Sequence, residues 1–393
     1  MRRTLHQALL NGHSHNGAFK ILLRKYFNSN LRMDHAITIR LGARARQRIA
    51  SEGLNAADIA IVPAAAGGPK GLILHGIDTW LFGDWLPAAP RQRQLIGASI
   101  GSWRMAASAM LDPVAAHKRL AHHYTHQTYP DKVSAAYVSQ ACRALLNDVL
   151  DGGAAQVLAS PDYRLAIITM RGIGALADTR GAPLREMAAF ARAAGANLVS
   201  RKRLAGSMER VVFHDGRDEL AWLRSGGFDD FASHFVHLSE ANLHAALLAS
   251  GSIPLVLEAV RDIAGAPPGA YWDGGLVDYH LHLPYQRDPG LVLYPHFADA
   301  IVPGWLDKSL PWRRARGPAL ENMILVSPSP AFLARLPNGK LPDRSDFKRY
   351  GQDHAARFRD WTFAVGESER MADALAHWAE KPDLRLAVDF RRA

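Results

Sequence analysis

The chain has 393 residues, 48% hydrophobic and 21% charged, enough apolar material for one large α/β domain with insertions or for two domains. Of its net charge of +10, all but one unit falls in residues 1–50, where ten Lys and Arg face Asp34 alone; the near-neutral remainder argues against a basic nucleic-acid groove. The single cysteine, Cys142, cannot form an internal disulfide and fits a reducing compartment. The longest apolar run, Leu95 to Leu111, is broken by Arg104 and is shorter than the roughly 20 residues of a membrane span.

The N-terminus lacks a continuous apolar segment with a small-residue cleavage site, so a cytoplasmic location is expected, with contact to a membrane surface left open. Residues 1–33 read as a basic extension. Phe19, Leu22, Leu23, Tyr26 and Phe27 recur at helical spacing among Lys20, Arg24 and Lys25. Such a segment suits an anionic lipid surface, a disordered or non-native extension preceding a start at Met33, or packing on the body. From about Ile37, apolar β-type runs at 58–64, 93–98, 163–170, 210–214 and 322–328 alternate with helical patterns at 72–82, 102–111, 113–126, 132–150, 183–194 and 238–248. That alternation predicts an α/β sheet covered on both faces. A body of residues 34–330 is expected, followed by a C-terminal helical segment, 331–393, that packs on it or extends it.

Three motifs carry chemistry. Ala64–Gly71, "AAAGGPKG", follows a strand and opens a helix, where exposed backbone N–H groups and the helix dipole suit a phosphate or a developing oxyanion. Its donors must come from Gly67, Gly68 or their neighbours, because Pro69 has no N–H. It is not a P-loop: the spacing to Lys70 is too short, and Gly71 stands where Ser or Thr is needed. Leu95–Trp103, "LIGASIGSW", puts Ser99 between a strand and a helix, with Gly97 and Gly101 on either side, the context of a nucleophile elbow. Tyr271–His280, "YWDGGLVDYH", puts Asp273 before Gly274 and Gly275, where a strand-end carboxylate can be held rigidly and partly desolvated.

This order and spacing resembles the patatin-like phospholipase family over roughly residues 57–285. "ALLASGSIPLVL", 246–257, is similar to that family's small-residue and proline segment ahead of the aspartate. The resemblance implies a patatin-like three-layer α/β/α sandwich around a mostly parallel sheet, with Ser99 as nucleophile and Asp273 as base. It implies an oxyanion hole from Gly67, Gly68 and Ile100, and a phospholipid or other fatty acyl ester as substrate, with neither metal nor cofactor. Two departures stand out. Ala66 replaces the first glycine of the loop, and Asp278, Tyr279 and His280 follow where many members carry Asn-Pro.

A Ser-His-Asp triad remains open, since His280, His282 and His296 follow Asp273, although only about two strands precede Ser99. A non-catalytic lipid- or protein-binding module on the same scaffold is the rival reading. Metal binding by His122, His123 and His126, or by His280 and His282, lacks a third ligand at a known spacing. Arg104 reads as a solvated helix residue or a head-group contact, and Lys70 as structural. Cys142 reads as a small buried thiol. Trp80–Leu86, "WLFGDWL", reads as apolar surface for lipid or as core.

Overall fold

The computed structural model describes residues 36–178, 182–226 and 230–390, and residues from Ala36 onward group into one compact unit. The basic extension of residues 1–33 lies outside the described residues.

The strands are β1 (Ile37–Leu41), β2 (Ile59–Ala64), β3 (Arg93–Ala98), β4 (Tyr163–Gly172), β5 (Met208–His214), β6 (Ser233–His237), β7 (Val260–Arg261), β8 (Ala270–Asp273), β9 (Leu291–Pro295), β10 (Met323–Pro328) and β11 (Ala387–Asp389). They form one sheet in the order β11-β1-β10-β9-β2-β3-β4-β5-β6, with β8 joined to β4 and β7 to β8. From β10 through β4 every neighbouring pair is parallel. Antiparallel pairs join β1 to β10, β5 to β4, β8 to β4 and β7 to β8. In β2, β9 and β10 every residue is buried, although successive side chains point to opposite faces, so both faces of the central sheet are covered. The architecture is therefore a mostly parallel sheet between layers of helix.

Two features of the sheet position the site. β3 runs along β4 only as far as Ala98 opposite Ile168. β8 arrives from the other direction and takes up the next places along β4, with Asp273 opposite Thr169. Two strand ends thus meet beside one continuous strand. The residue after β3 is Ser99, and the last residue of β8 is Asp273. Residues 174 positions apart in sequence become spatial neighbours through register on β4.

The C-terminal segment is built around a long helix and also adds a strand to the sheet. Its helix His354–Glu380 runs for 27 residues, and β11 adds an edge strand beside β1. The buried stripe of this helix, Trp361, Ala364, Ser368, Met371, Leu375 and Trp378, keeps a spacing of three and four. Ala364 and Ser368 hide that period from a count of large apolar residues. They are small because the helix packs closely on His75–Trp80, where the Gly76 N–H donates to Ser368 Oγ at 2.8 Å.

Trp80–Leu86 belongs to the core. Leu81, Phe82 and Leu86 are buried, and Trp80 stacks on Trp85 with ring centroids 5.5 Å apart. The surface alternative for this stretch is overturned, because the wide helical turn Leu81–Trp85 faces its apolar side chains inward.

Candidate active site

Ser99 ends β3 and precedes the helix Ile100–Ser108. Its backbone sits at φ 55°, ψ −133°, a conformation that non-glycine residues rarely adopt. The elbow is held by its surroundings. Gly97 backs directly on the Ser102 backbone. A Cβ on Gly101 would collide with the Ala64 carbonyl oxygen at the end of β2, so the helix reaches the sheet only because that atom is missing. The Ser99 carbonyl accepts from Ser102 N–H at 2.9 Å and from Ser102 Oγ at 2.7 Å.

Ser99 Oγ donates to Asp273 Oδ2 at 2.8 Å. Both side chains are nearly enclosed, at 4% and 7% exposure, yet both line cavities. The second carboxylate oxygen, Oδ1, accepts from the Gly275 N–H at 2.7 Å. Gly274 lies against β4, where a Cβ would collide with the Ile168 carbonyl oxygen. Burial raises the Asp273 carboxyl above the usual carboxylate range. The charge of Arg344, the Ser99 hydroxyl and the Gly275 N–H pull the other way. A carboxylate so placed is a stronger base than one in water.

The segment Ser250–Ser252 ties the pair together. Ser250 Oγ accepts from the Ser99 N–H at 2.9 Å and donates to the Ile168 carbonyl at 2.7 Å. The Ser250 carbonyl accepts from Gly274 N–H at 3.2 Å, and the Ser252 carbonyl accepts from Asp273 N–H at 2.8 Å. One short stretch therefore holds the Ser99 elbow and the Asp273 carboxylate from both sides. Sequence reasoning singled out the stretch without assigning Ser250 a role. Its signal was a serine flanking glycine at the end of an apolar helix.

The Gly-rich loop approaches the same point. Ala66 N–H donates to the Tyr279 carbonyl at 3.0 Å, which joins the loop to the chain after Asp273. Gly68 takes the left-handed φ of +56° beside Arg344 and begins the tight helical turn Gly68–Leu74. Gly71 packs on Ile100. Gly68 and Ile100 each begin a helical turn, so their N–H groups have no acceptor within it, and Gly67 immediately precedes one. Gly67 and Gly68 line the cavities that meet at Ser99, and Ile100 lines one of them. Lys70 is half-buried in the same wall, its ammonium 5.5 Å from the Phe297 ring centre.

The two cavities, of about 480 and 500 Å³, lie on either side of Ser99. The first is walled by Trp103, Val138, Leu145, Val256, Leu257 and the half-buried Cys142, whose thiol burial pushes up to about 11. The second is walled by Met187, Phe190, Leu255, Leu276 and Trp305 together with cations.

No histidine lies between Ser99 and Asp273, which are in direct contact. His280 and His296 are buried against one another, ring centres 4.3 Å apart. His280 Nδ1 bonds to the Ala300 carbonyl, and His296 Nδ1 to that of Ala298. Burial holds His280 well below its usual value and takes His296 down to about 3, so both are neutral. The one group of three possible metal ligands among the described residues is elsewhere, at His214, Glu219 and His237, with Arg224 already bonded to both His214 and Glu219.

Arg104 is not solvated. It is 2% exposed and forms a two-pronged pair with Asp78, at 2.6 and 2.7 Å, beneath the elbow helix. Its helix is buried on all sides, so a long cation there requires a partner.

Comparison with family models, with curated proteins and with solved structures returns no match.

Proposed function

We propose that the chain is a serine acyl hydrolase of the patatin-like kind, cleaving carboxylic esters of phospholipids or other fatty acyl lipids. The observation that carries this reading is the direct 2.8 Å hydrogen bond from Ser99 Oγ, on a strained elbow, to a buried carboxylate whose proton affinity is raised.

In this mechanism Ser99 Oγ attacks the acyl carbonyl while Asp273 takes its proton. Negative charge develops on the carbonyl oxygen. The N–H groups of Gly67, Gly68 and Ile100 are the candidate donors for it, each worth ~3–4 kcal/mol of barrier. The tetrahedral intermediate collapses, and the alcohol leaves with the proton from Asp273. Water then attacks the acyl-enzyme, giving a proton to Asp273. Ser99 Oγ recovers that proton as the fatty acid departs. The apolar cavity beside Trp103 and Leu145 suits an acyl chain.

No helix among the described residues is long and apolar enough to cross a membrane. Contact with a lipid surface is part of the proposal: Met187, Leu255 and Trp305 line the second cavity and remain exposed to solvent. These residues take the place of Trp80–Leu86 as the apolar contact.

Purified protein should release fatty acid from a short-chain acyl ester. Ser99→Ala and Asp273→Asn should each abolish release, and undiminished hydrolysis in either variant would overturn the dyad.

A further inference from the structure

Lys70, Lys308 and Arg344 all line the second cavity, which Ser99 and Asp273 also line. They come from three distant parts of the chain. Lys70 lies in the Gly-rich loop, Lys308 follows the short turn Trp305–Asp307, and Arg344 precedes the helix Ser345–Tyr350. Their placement is defined by contacts. The Lys308 ammonium sits 4.3 Å from the Tyr279 ring centre and 5.1 Å from that of Trp305. Arg344 lies against the Gly-rich loop, its Nε 3.2 Å from where a Cβ on Gly68 would be, and it borders both cavities. The cations therefore gather at the Ser99 end of the cavity.

Their charge is offset only at a distance, by Asp343 and Asp273. None of the three side chains forms an ion pair among the described residues. Of the two carboxylates lining the cavity, Asp343 pairs with Lys340 at 3.0 Å, and Asp273 is engaged by Ser99 and Gly275. Desolvation and repulsion from Lys70 and Arg344 push the Lys308 ammonium down to about 8, while desolvation also lowers Lys70. Three cations against two engaged carboxylates leave the concave wall with an excess of positive charge, and such an excess focuses its field on the space in front of it. The first cavity presents Arg344 alone among lysines and arginines. The two sides of Ser99 are thus chemically unlike.

We propose that Lys70, Lys308 and Arg344 form a phosphate-binding subsite next to Ser99, which receives a phosphate on the alcohol portion of an acyl ester whose acyl chain occupies the Trp103 cavity. Placing an ester there rests on the acyl-hydrolase reading; the phosphate subsite does not. Arg344 offers a planar fork to two phosphate oxygens, and the lysines add point charges. Such a subsite favours an ester bearing a phosphate over an uncharged ester of equal chain length.

The test uses the full chain carrying Ser99→Ala, so that binding is measured without turnover. Calorimetric titration compares a short-chain 1-acylglycerol 3-phosphate, the matching uncharged monoacylglycerol, and inorganic phosphate. The phosphorylated ligand should bind at least about tenfold more tightly than the uncharged one, and the margin should shrink as salt is raised. Adding Lys308→Gln and Arg344→Gln should remove the preference, whereas Lys308→Arg should retain it and so control for folding. Equal binding of the two acyl ligands, or a preference that survives the double substitution, would overturn the subsite. Inorganic phosphate binding as tightly as the acylglycerol phosphate would overturn the ester assignment in favour of free phosphate. A retained preference in a wild-type protein that hydrolyses neither ester leaves the subsite standing and removes the acyl-hydrolase reading instead.

Discussion

Two buried carboxylates lie near the elbow, and their partners separate them. Asp78, 1% exposed, faces the guanidinium of Arg104, which neutralises it through two short hydrogen bonds. Asp273, 7% exposed, is in direct contact only with neutral donors, the Ser99 hydroxyl and the Gly275 amide. The first pairing consumes the carboxylate's charge in holding the helix Ile100–Ser108 against its neighbours. The second leaves a desolvated carboxylate whose proton affinity is raised. Burial alone does not make a base; burial without a cation in direct contact does.

Substitution separates the two most sharply. Asp273→Asn keeps the shape and removes the proton acceptor, so acyl release in single-turnover assays should fall by about 10³–10⁴-fold. Its stability at neutral pH should be equal or higher, since a buried charge that folding disfavours is gone. A large fall in its urea midpoint would break the contrast. Asp78→Asn should do the reverse. It leaves Arg104 buried without a counter-charge, at a cost of about 3–5 kcal/mol in urea unfolding. Molecules that remain folded should keep most of their activity per active site, as counted with a serine-reactive probe. Loss per site equal to that of Asp273→Asn would put Asp78 in the chemistry.

A smaller effect tests how Ser99 is held. Ser250→Ala strands the Ser99 N–H and one acceptor position at the Ile168 carbonyl, which should cost about 1–3 kcal/mol of stability. Because Ser250 positions the nucleophile, kcat should fall while KM for a neutral ester changes little. An unchanged kcat would leave Ser250 a purely structural role.

The smallest signal is in pH. Asp273 must be ionised to accept a proton, so kcat/KM should fall as pH drops through a value above the ordinary carboxylate pKa of about 3.9. The stability contribution has the opposite sign. A carboxyl whose folded pKa is raised stabilises the fold when protonated, fully below its unfolded pKa, and that contribution is lost as pH rises through the folded value. Asp273→Asn should abolish this component of the pH dependence of unfolding. An acid limb at or below about 4 would contradict the raised affinity.

Much of the site is local and was legible in the chain. β3 falls at the residues its apolar pattern marks, 93–98, and Gly97 and Gly101 announce a sharp strand-to-helix turn. Asp273 before two glycines announces a rigid strand end. These are properties of a few consecutive residues, where sterics and backbone propensity act directly. Arg104 and Trp80–Leu86 were not legible, because burial is decided by what packs on a residue from afar. The helical character of 331–393 was legible, but the packing face of the helix His354–Glu380 was hidden for a related reason: its small residues have meaning only beside His75–Trp80.

The sequence by itself determined the candidate side chains and what local shape presents them: a serine on a strained turn, a carboxylate on a strand end, amides at helix starts. Tertiary structure alone decided that β3 and β8 meet along β4, so that Ser99 Oγ reaches Asp273 without a histidine. It also decided that Ser250 ties the pair, and that Lys70, Lys308 and Arg344 gather on one side. The physical reason is that strand register, desolvation and summed charge depend on residues hundreds of positions apart, while a turn depends on its neighbours.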